Sequence, residues 1–188
     1  RLIIEDDYES TFAFTVDNII EGINFSGPNK KKRFNRVVAK FVNPDINWQA
    51  DSVTWPDADS QDSANFLAED NGVVLESQID LPSVTNFYQA RNIAKTLCLS
   101  SRRNGISIDF TATSEAMQCA VGDVVTITHP TPGWDGKEFR VTRMSINFDG
   151  TVNISAREHN GSVYPWVNDA EEPASAQSNL PDPLTVAA

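Results

Sequence analysis

Few residues in this chain carry side chains suited to catalysis, and their spacing assembles none of the familiar constellations. A serine–histidine–carboxylate arrangement would have to use one of the two histidines, His129 or His159. His129 stands at a predicted strand end before Pro130, and His159 closes the last predicted strand; no nucleophile lies in the expected context of either. No phosphate loop, dinucleotide fingerprint, zinc-protease helix or nucleophile elbow is present. Asp57, Asp59 and Asp62 open like a calcium loop. An EF-hand, however, needs glycine at its sixth position and glutamate at its twelfth, where this chain has Asp62 and Ala68. A solvated acidic loop is the commoner form of such a run. No carboxylate pair stands out for glycoside hydrolysis. Cys98 and Cys119 are too few for a structural zinc site, and the histidines are not at finger spacing from them. A bridge between them is geometrically open but not implied, and free buried thiols suit assembly in a reducing cytoplasm. The sequence therefore points to no catalytic residue, no metal ligand and no cofactor. The remaining chemistry lies in four tryptophans, Trp48, Trp55, Trp134 and Trp166. On loops they could stack on sugar rings; more often such aromatic bodies fill gaps under loops or at subunit contacts. Trp55 and Trp134 are the candidate contact residues.

Composition limits what these residues can belong to. The chain has 188 residues, 40% hydrophobic and 22% charged, enough for one good domain with appendages. Its net charge of -11 opposes general nucleic-acid binding, which needs a cationic footprint. The run Lys30-Lys31-Lys32-Arg33 is the exception, read as a solvated basic turn. No apolar run approaches the ~20 residues of a membrane span. The opening residues turn acidic by Glu5-Asp6-Asp7, unlike a secretory signal. Because the chain opens on Arg1 rather than methionine, it is expected to be a fragment or a processed product.

The elements that would position these residues are mostly strands. Residues 11–16 and 18–24 read as two short strands, with a turn at Ser26-Gly27-Pro28-Asn29. Residues 35–42 are rich in β-branched and aromatic types, and Val37, Ala39 and Phe41 share one face. From Pro44 to Asn71 the chain reads as a long, acidic, partly ordered excursion with one short strand near residues 52–55. A strand resumes over residues 72–79, placing Val73, Leu75 and Ile79 on one side. One amphipathic helix follows, with Ser83 or Thr85 as N-cap and Phe87, Ala90, Ile93 or Ala94, and Leu97 as its apolar stripe. Arg102 and Arg103 fall in its last turn, and Asn104-Gly105 ends it. Ile106, Ile108, Phe110 and Ala112 then alternate as a strand, Gly122-Asp123 opens another at Val124, and residues 130–136 form a loop holding Trp134. Residues 137–148 and 151–158 form a hairpin about Asp149-Gly150, expected to be a type I′ turn. Phe139 and Val141 have odd parity but Met144, Ile146 and Phe148 even parity, which predicts a β-bulge near Thr142-Arg143. Residues 169–178 read as an unpacked linker, and residues 180–186 as the opening strand of another β module.

Four segments in this order carry a resemblance: 33–44 (RFNRVVAKFVNP), 89–95 (QARNIAK), 120–127 (AVGDVVTI) and 139–159 (FRVTRMSINFDGTVNISAREH). Together they resemble the host-specificity, or tip attachment, proteins of lambda-like tailed phages and the wider class of baseplate hub proteins. The resemblance covers roughly residues 11–166. It implies an α+β, mainly β fold: a small curved β-barrel-like hub domain with one packed amphipathic helix, plus N-terminal strands of a neighbouring domain. It implies residues 1–29 ending a preceding hub domain, 30–166 forming the hub domain with an acidic insertion at 45–71, and 167–188 leading into a truncated fibronectin type III-like module. The implied role is non-catalytic: closing the distal tail tube and carrying host-recognition modules. The implied partners are copies of itself as a homotrimer, other tail-tip and tail-tube proteins, and a host surface receptor reached through distal modules. The virion tail tip, assembled in the bacterial cytoplasm, is the implied location. An acidic channel face would repel DNA in transit. A glycan- or receptor-binding tail module and a tail-associated cell-wall hydrolase are the competing readings.

Overall fold

The computed structural model of the chain describes residues 8–27 and 33–166. Nine strands and two helices follow in the order β1 (Phe12–Phe14), β2 (Ile19–Ser26), β3 (Arg36–Asn43), β4 (Gln49–Trp55), α1 (Gln61–Glu69), β5 (Glu76–Leu81), α2 (Phe87–Arg103), β6 (Ser107–Ala112), β7 (Val124–His129), β8 (Trp134–Ile146) and β9 (Val152–Glu158). Six of the strands form one curled half-barrel in the order β1-β7-β8-β9-β6-β2. The other three form a small sheet, β4-β3-β5, against which α2 packs. The fold is thus mainly β, with helix packed outside, as the sequence predicts.

Each sheet has its own core. Alternation supplies the half-barrel's: Ile108, Phe110 and Ala112 on β6, Val152, Ile154 and Ala156 on β9, and Val125 and Ile127 on β7 all turn inward. Phe14 joins them edge-to-face with Phe110. The second core sets Val37, Ala39 and Phe41 of β3 and Val53 and Trp55 of β4 against Phe87, Ala90, Ala94 and Cys98 of α2. That stripe differs from the predicted one at its last position. Leu97 is 39% exposed, while Cys98 is fully buried in its place. The N-cap also differs, being Asn86, whose Oδ1 accepts from the Gln89 N–H at 3.0 Å.

The two N-terminal strands pair with strands that follow α2. β1 pairs in parallel with β7, and β2 pairs antiparallel with β6, so they form the two edges of the half-barrel. Between Pro44 and Asn71, where the sequence reads as a loose excursion, the chain builds β4, in register with β3 from Val37↔Trp55 to Asn43↔Gln49, and then α1. Ser60 caps α1 by accepting from the Ser63 N–H. β5 is shorter than the predicted 72–79 strand, beginning at Glu76, and Val73 and Val74 are exposed.

The β-bulge falls where parity predicts it: Val141 pairs with Ala156, and the next pairing is Arg143 with Ser155. The hairpin beyond it is not type I′. Only Gly150 has positive φ, at 84°, and residues 148–150 form a three-residue loop closed by Asn147 N–H donating to the Thr151 carbonyl. Such loops combine a type I turn with one left-handed residue, a place glycine takes without a Cβ penalty. Both cysteines are free and buried. Residues 1–7, 28–32 and 167–188 lie outside the described residues, and with them most of the basic run, the expected linker and the expected opening strand at 180–186.

Candidate functional site

The tryptophans the sequence singles out turn inward. Trp55 ends β4 at 5% exposure, with its ring 6.0 Å from Phe66. Trp134 opens β8 rather than lying in a loop. It is partly buried against the half-barrel core, 5.1 Å from Phe139 and 6.0 Å from Phe25. The rings that face outward are others: Trp48, Phe25, Phe148 and Trp166. Phe148 sits at the tip of the β8–β9 hairpin, fully exposed, and Ile146 two residues earlier is also exposed. Met144, Ile146 and Phe148 thus form an apolar row that starts against the core and runs out into solvent.

A charged cluster locks α1 to α2. The Arg102 side chain is nearly buried; it pairs with Asp70 at 2.7 Å, with Glu69, and lies over the Phe66 ring at 4.3 Å. Arg33, the last residue of the basic run, pairs with Glu69 at 2.7 Å. Asn35 Nδ2 donates to Asp70 and to the Val73 carbonyl, and Asn35 Oδ1 accepts from the Leu75 N–H. Burial opposes ionisation of Asp70, but the hydrogen bonds from Arg102 and Asn35, and then the charges of Arg102 and Arg33, outweigh it and hold the carboxyl below its ordinary range. Burial is the main influence on the thiols: it pushes Cys98 up to about 12 against the opposing charge of Arg102, and Cys119 to about 11 with Asp123 adding to the rise, so neither offers a thiolate at neutral pH.

Both histidines make structural contacts. His129 Nδ1 accepts from the Thr131 N–H, a turn contact. His159 is buried, stacked on Tyr164 at 5.3 Å and 3.5 Å from an Arg140 guanidinium nitrogen. Asp57, the first carboxylate of the calcium-like run, pairs with Arg91 at 2.8 Å. Among the described residues no group of three or more His, Cys, Asp or Glu is placed to hold a metal ion. None of the described helices is long and apolar enough to cross a membrane. The prominent open features are edges and knobs: the outer edges of β1 and β2, the β8–β9 tip and the β3–β4 tip.

At the β3–β4 tip, Asn47 and Trp48 both have φ of 59°. They follow a single 3-10 turn over Pro44–Ile46, and the left-handed region both occupy favours glycine and asparagine. An L-residue other than Asn, Asp or Gly there costs roughly 1–2 kcal/mol. Asn47 suits its place; Trp48 does not. The sequence predicts a short strand near residues 52–55; the strand begins earlier, at Gln49, among polar and acidic residues that hide its start.

The architecture is a curled open half-barrel with a helix-backed second sheet, and comparison with known proteins shows where it recurs. The chain belongs to a family of phage tail proteins: the family described as "Putative phage tail protein" matches residues 5–144. It is 24% identical over 160 residues to the baseplate hub protein pb3 of Escherichia phage T5, a match that covers 85% of this chain but 16% of that protein's length. In fold it is similar to a chain from the virion of a native gene transfer agent particle (TM-score 0.64, 17% identity, 88% of this chain and 35% of that one). It is also similar to a tail protein from Neisseria meningitidis MC58 (TM-score 0.54, 13% identity, 85% and 49%). A 43 kDa tail protein of prophage MuSo2 from Shewanella oneidensis aligns too, with TM-score 0.50, 14% identity and 87% and 47% coverage. The chain is therefore a member of a phage tail protein family and spans only a small part of the length of the baseplate hub relative it matches.

Proposed function

We propose that this chain closes the distal end of the tail tube as part of a trimeric, non-catalytic baseplate hub. On this reading it sits at the tail tip, is assembled in the host cytoplasm, and links through residues beyond 166 to modules that meet the host receptor. The observation that carries the reading is the unclosed half-barrel. Its outer edges, β1 and β2, pair with no further strand among the described residues, and one apolar row leaves the core at Ile146 and Phe148. Free edges and emergent apolar rows are liabilities in a lone monomer; in a ring each copy covers its neighbour's. Pairing of β1 with β7 and of β2 with β6 leads us to place residues 8–27 in the same folding unit as β6–β9. The net charge of -11 suits a channel that DNA crosses without adhering.

The test is a double substitution at the tip, Ile146→Asp with Phe148→Asp. Both side chains are exposed, so the isolated chain should keep its fold and thermal midpoint. Phage carrying the variant should yield particles whose tails are missing or unterminated by electron microscopy. Normal tails and undiminished infectivity would contradict the role given to this row.

A further inference from the structure

The β3–β4 tip holds a large apolar ring in a strained backbone with no internal partner. Trp48 is 67% exposed and makes no ring contact with any described residue. Among the described residues no ring contact offsets its left-handed conformation, so local stability does not account for a tryptophan at this place. Yet the tip is held firmly. Asn43 accepts the Asp45 N–H through Oδ1 at 2.9 Å and donates through Nδ2 to Asp51 at 3.0 Å. A rigid mount lowers the ordering penalty when a partner is met.

The charge around the ring selects the partner. Asp45 and Asp51 flank it, and residues 41–90 contain no lysine or arginine at all. Acidic surroundings repel nucleic acid and anionic lipid. An exposed indole face beside carboxylates attracts a cation, above all a guanidinium that can stack and hydrogen-bond together. We infer that Trp48 is a docking residue that receives an arginine or lysine side chain from a basic neighbouring protein of the tail. This rests on the tail-assembly reading above. It is distinct from the β8–β9 row, because it lies on the other sheet.

The substitution Trp48→Gly separates the alternatives, since glycine is the residue the turn prefers. The free variant should melt at the same temperature or up to roughly 2–4 °C higher. Incorporation into tails, measured against the parent chain in the same particles, should fall severalfold. Hydroxyl-radical oxidation of Trp48 should be severalfold slower in purified tails than in the free chain. A photoreactive benzoyl-phenylalanine at position 48 should cross-link to a lysine- or arginine-bearing peptide of another tail protein. A variant that melts lower would make Trp48 a structural residue and overturn the inference. Equal oxidation in both states, or saccharide binding on a glycan panel that is lost in Trp48→Gly, would overturn it as well. If the chain is absent from purified tails, the assembly reading fails and this inference with it; if it is present with Trp48 still exposed, only this inference fails.

Discussion

Arg102 is where three parts of the second unit meet: α2 on which it sits, the carboxylates at the end of α1, and the chain entering β3. Its side chain is nearly buried with Asp70, so removing that carboxylate leaves it with the exposed Glu69 as its ion partner, an effect of about 2–4 kcal/mol, somewhat below the ~3–5 kcal/mol of a fully buried pair broken outright. The sign of its pH dependence follows from the depressed Asp70 carboxyl. Stabilisation from that group is complete above the ordinary carboxylate pKa of about 3.9 and is lost as pH falls through the lower folded value. We expect Asp70→Asn to lose about 2–4 kcal/mol at pH 7, measured by urea unfolding, and the gap to the parent to close as pH falls below the ordinary carboxylate range. A gap independent of pH would assign the loss to packing instead. None of this cluster could be read from residues 33–35, 69–70 and 102, because its members converge only through tertiary structure. The tryptophans tell the same story. Trp55 has the parity of Val53, and both face the core, in the short strand the sequence predicts near residues 52–55, but the surrounding acidic residues make its ring read as a contact residue. Trp48, hidden in the same stretch, is the ring that faces out.

At the scale of elements, the strongly periodic segments were legible and the short docked ones were not. β3, α2, β6, β7 and the β8–β9 hairpin announce themselves through alternation or helical spacing, and even the bulge at Thr142 is written in a change of parity. The helix cap and hairpin type were missed because several residues in each turn could serve, and only the built geometry chooses Asn86 or one left-handed glycine. The helix α1 was invisible for a different reason. Its buried side chains are just Ser63 and Phe66, so its stability comes from docking rather than from its own pattern. Phe66 meets the Trp55 ring and lies under Arg102. Phe66→Ala should therefore destabilise by about 3–5 kcal/mol. Hydrogen exchange should quicken across residues 61–69 first, while β6–β9 stay protected. Uniform loss of protection over the chain would show instead that α1 and the half-barrel unfold as one unit.

At the scale of the molecule, the family resemblance predicts a curved barrel with a helix outside, and the structure supplies what sequence cannot: how distant strands pair. β1 joins β7, and β2 joins β6, across more than 80 residues in each case. No local pattern records such pairings, since alternation fixes a strand's faces but not its neighbour. Those pairings leave the half-barrel open, and the proposed ring is the way to close it. Cryo-electron microscopy of the intact tail carrying this chain tests that claim most directly. The account predicts three copies around the tail axis at the distal end of the tube, with β1 or β2 of each half-barrel against its neighbour and Ile146 and Phe148 covered. A single copy, or copies on peripheral fibres with both edges exposed to solvent, would contradict it.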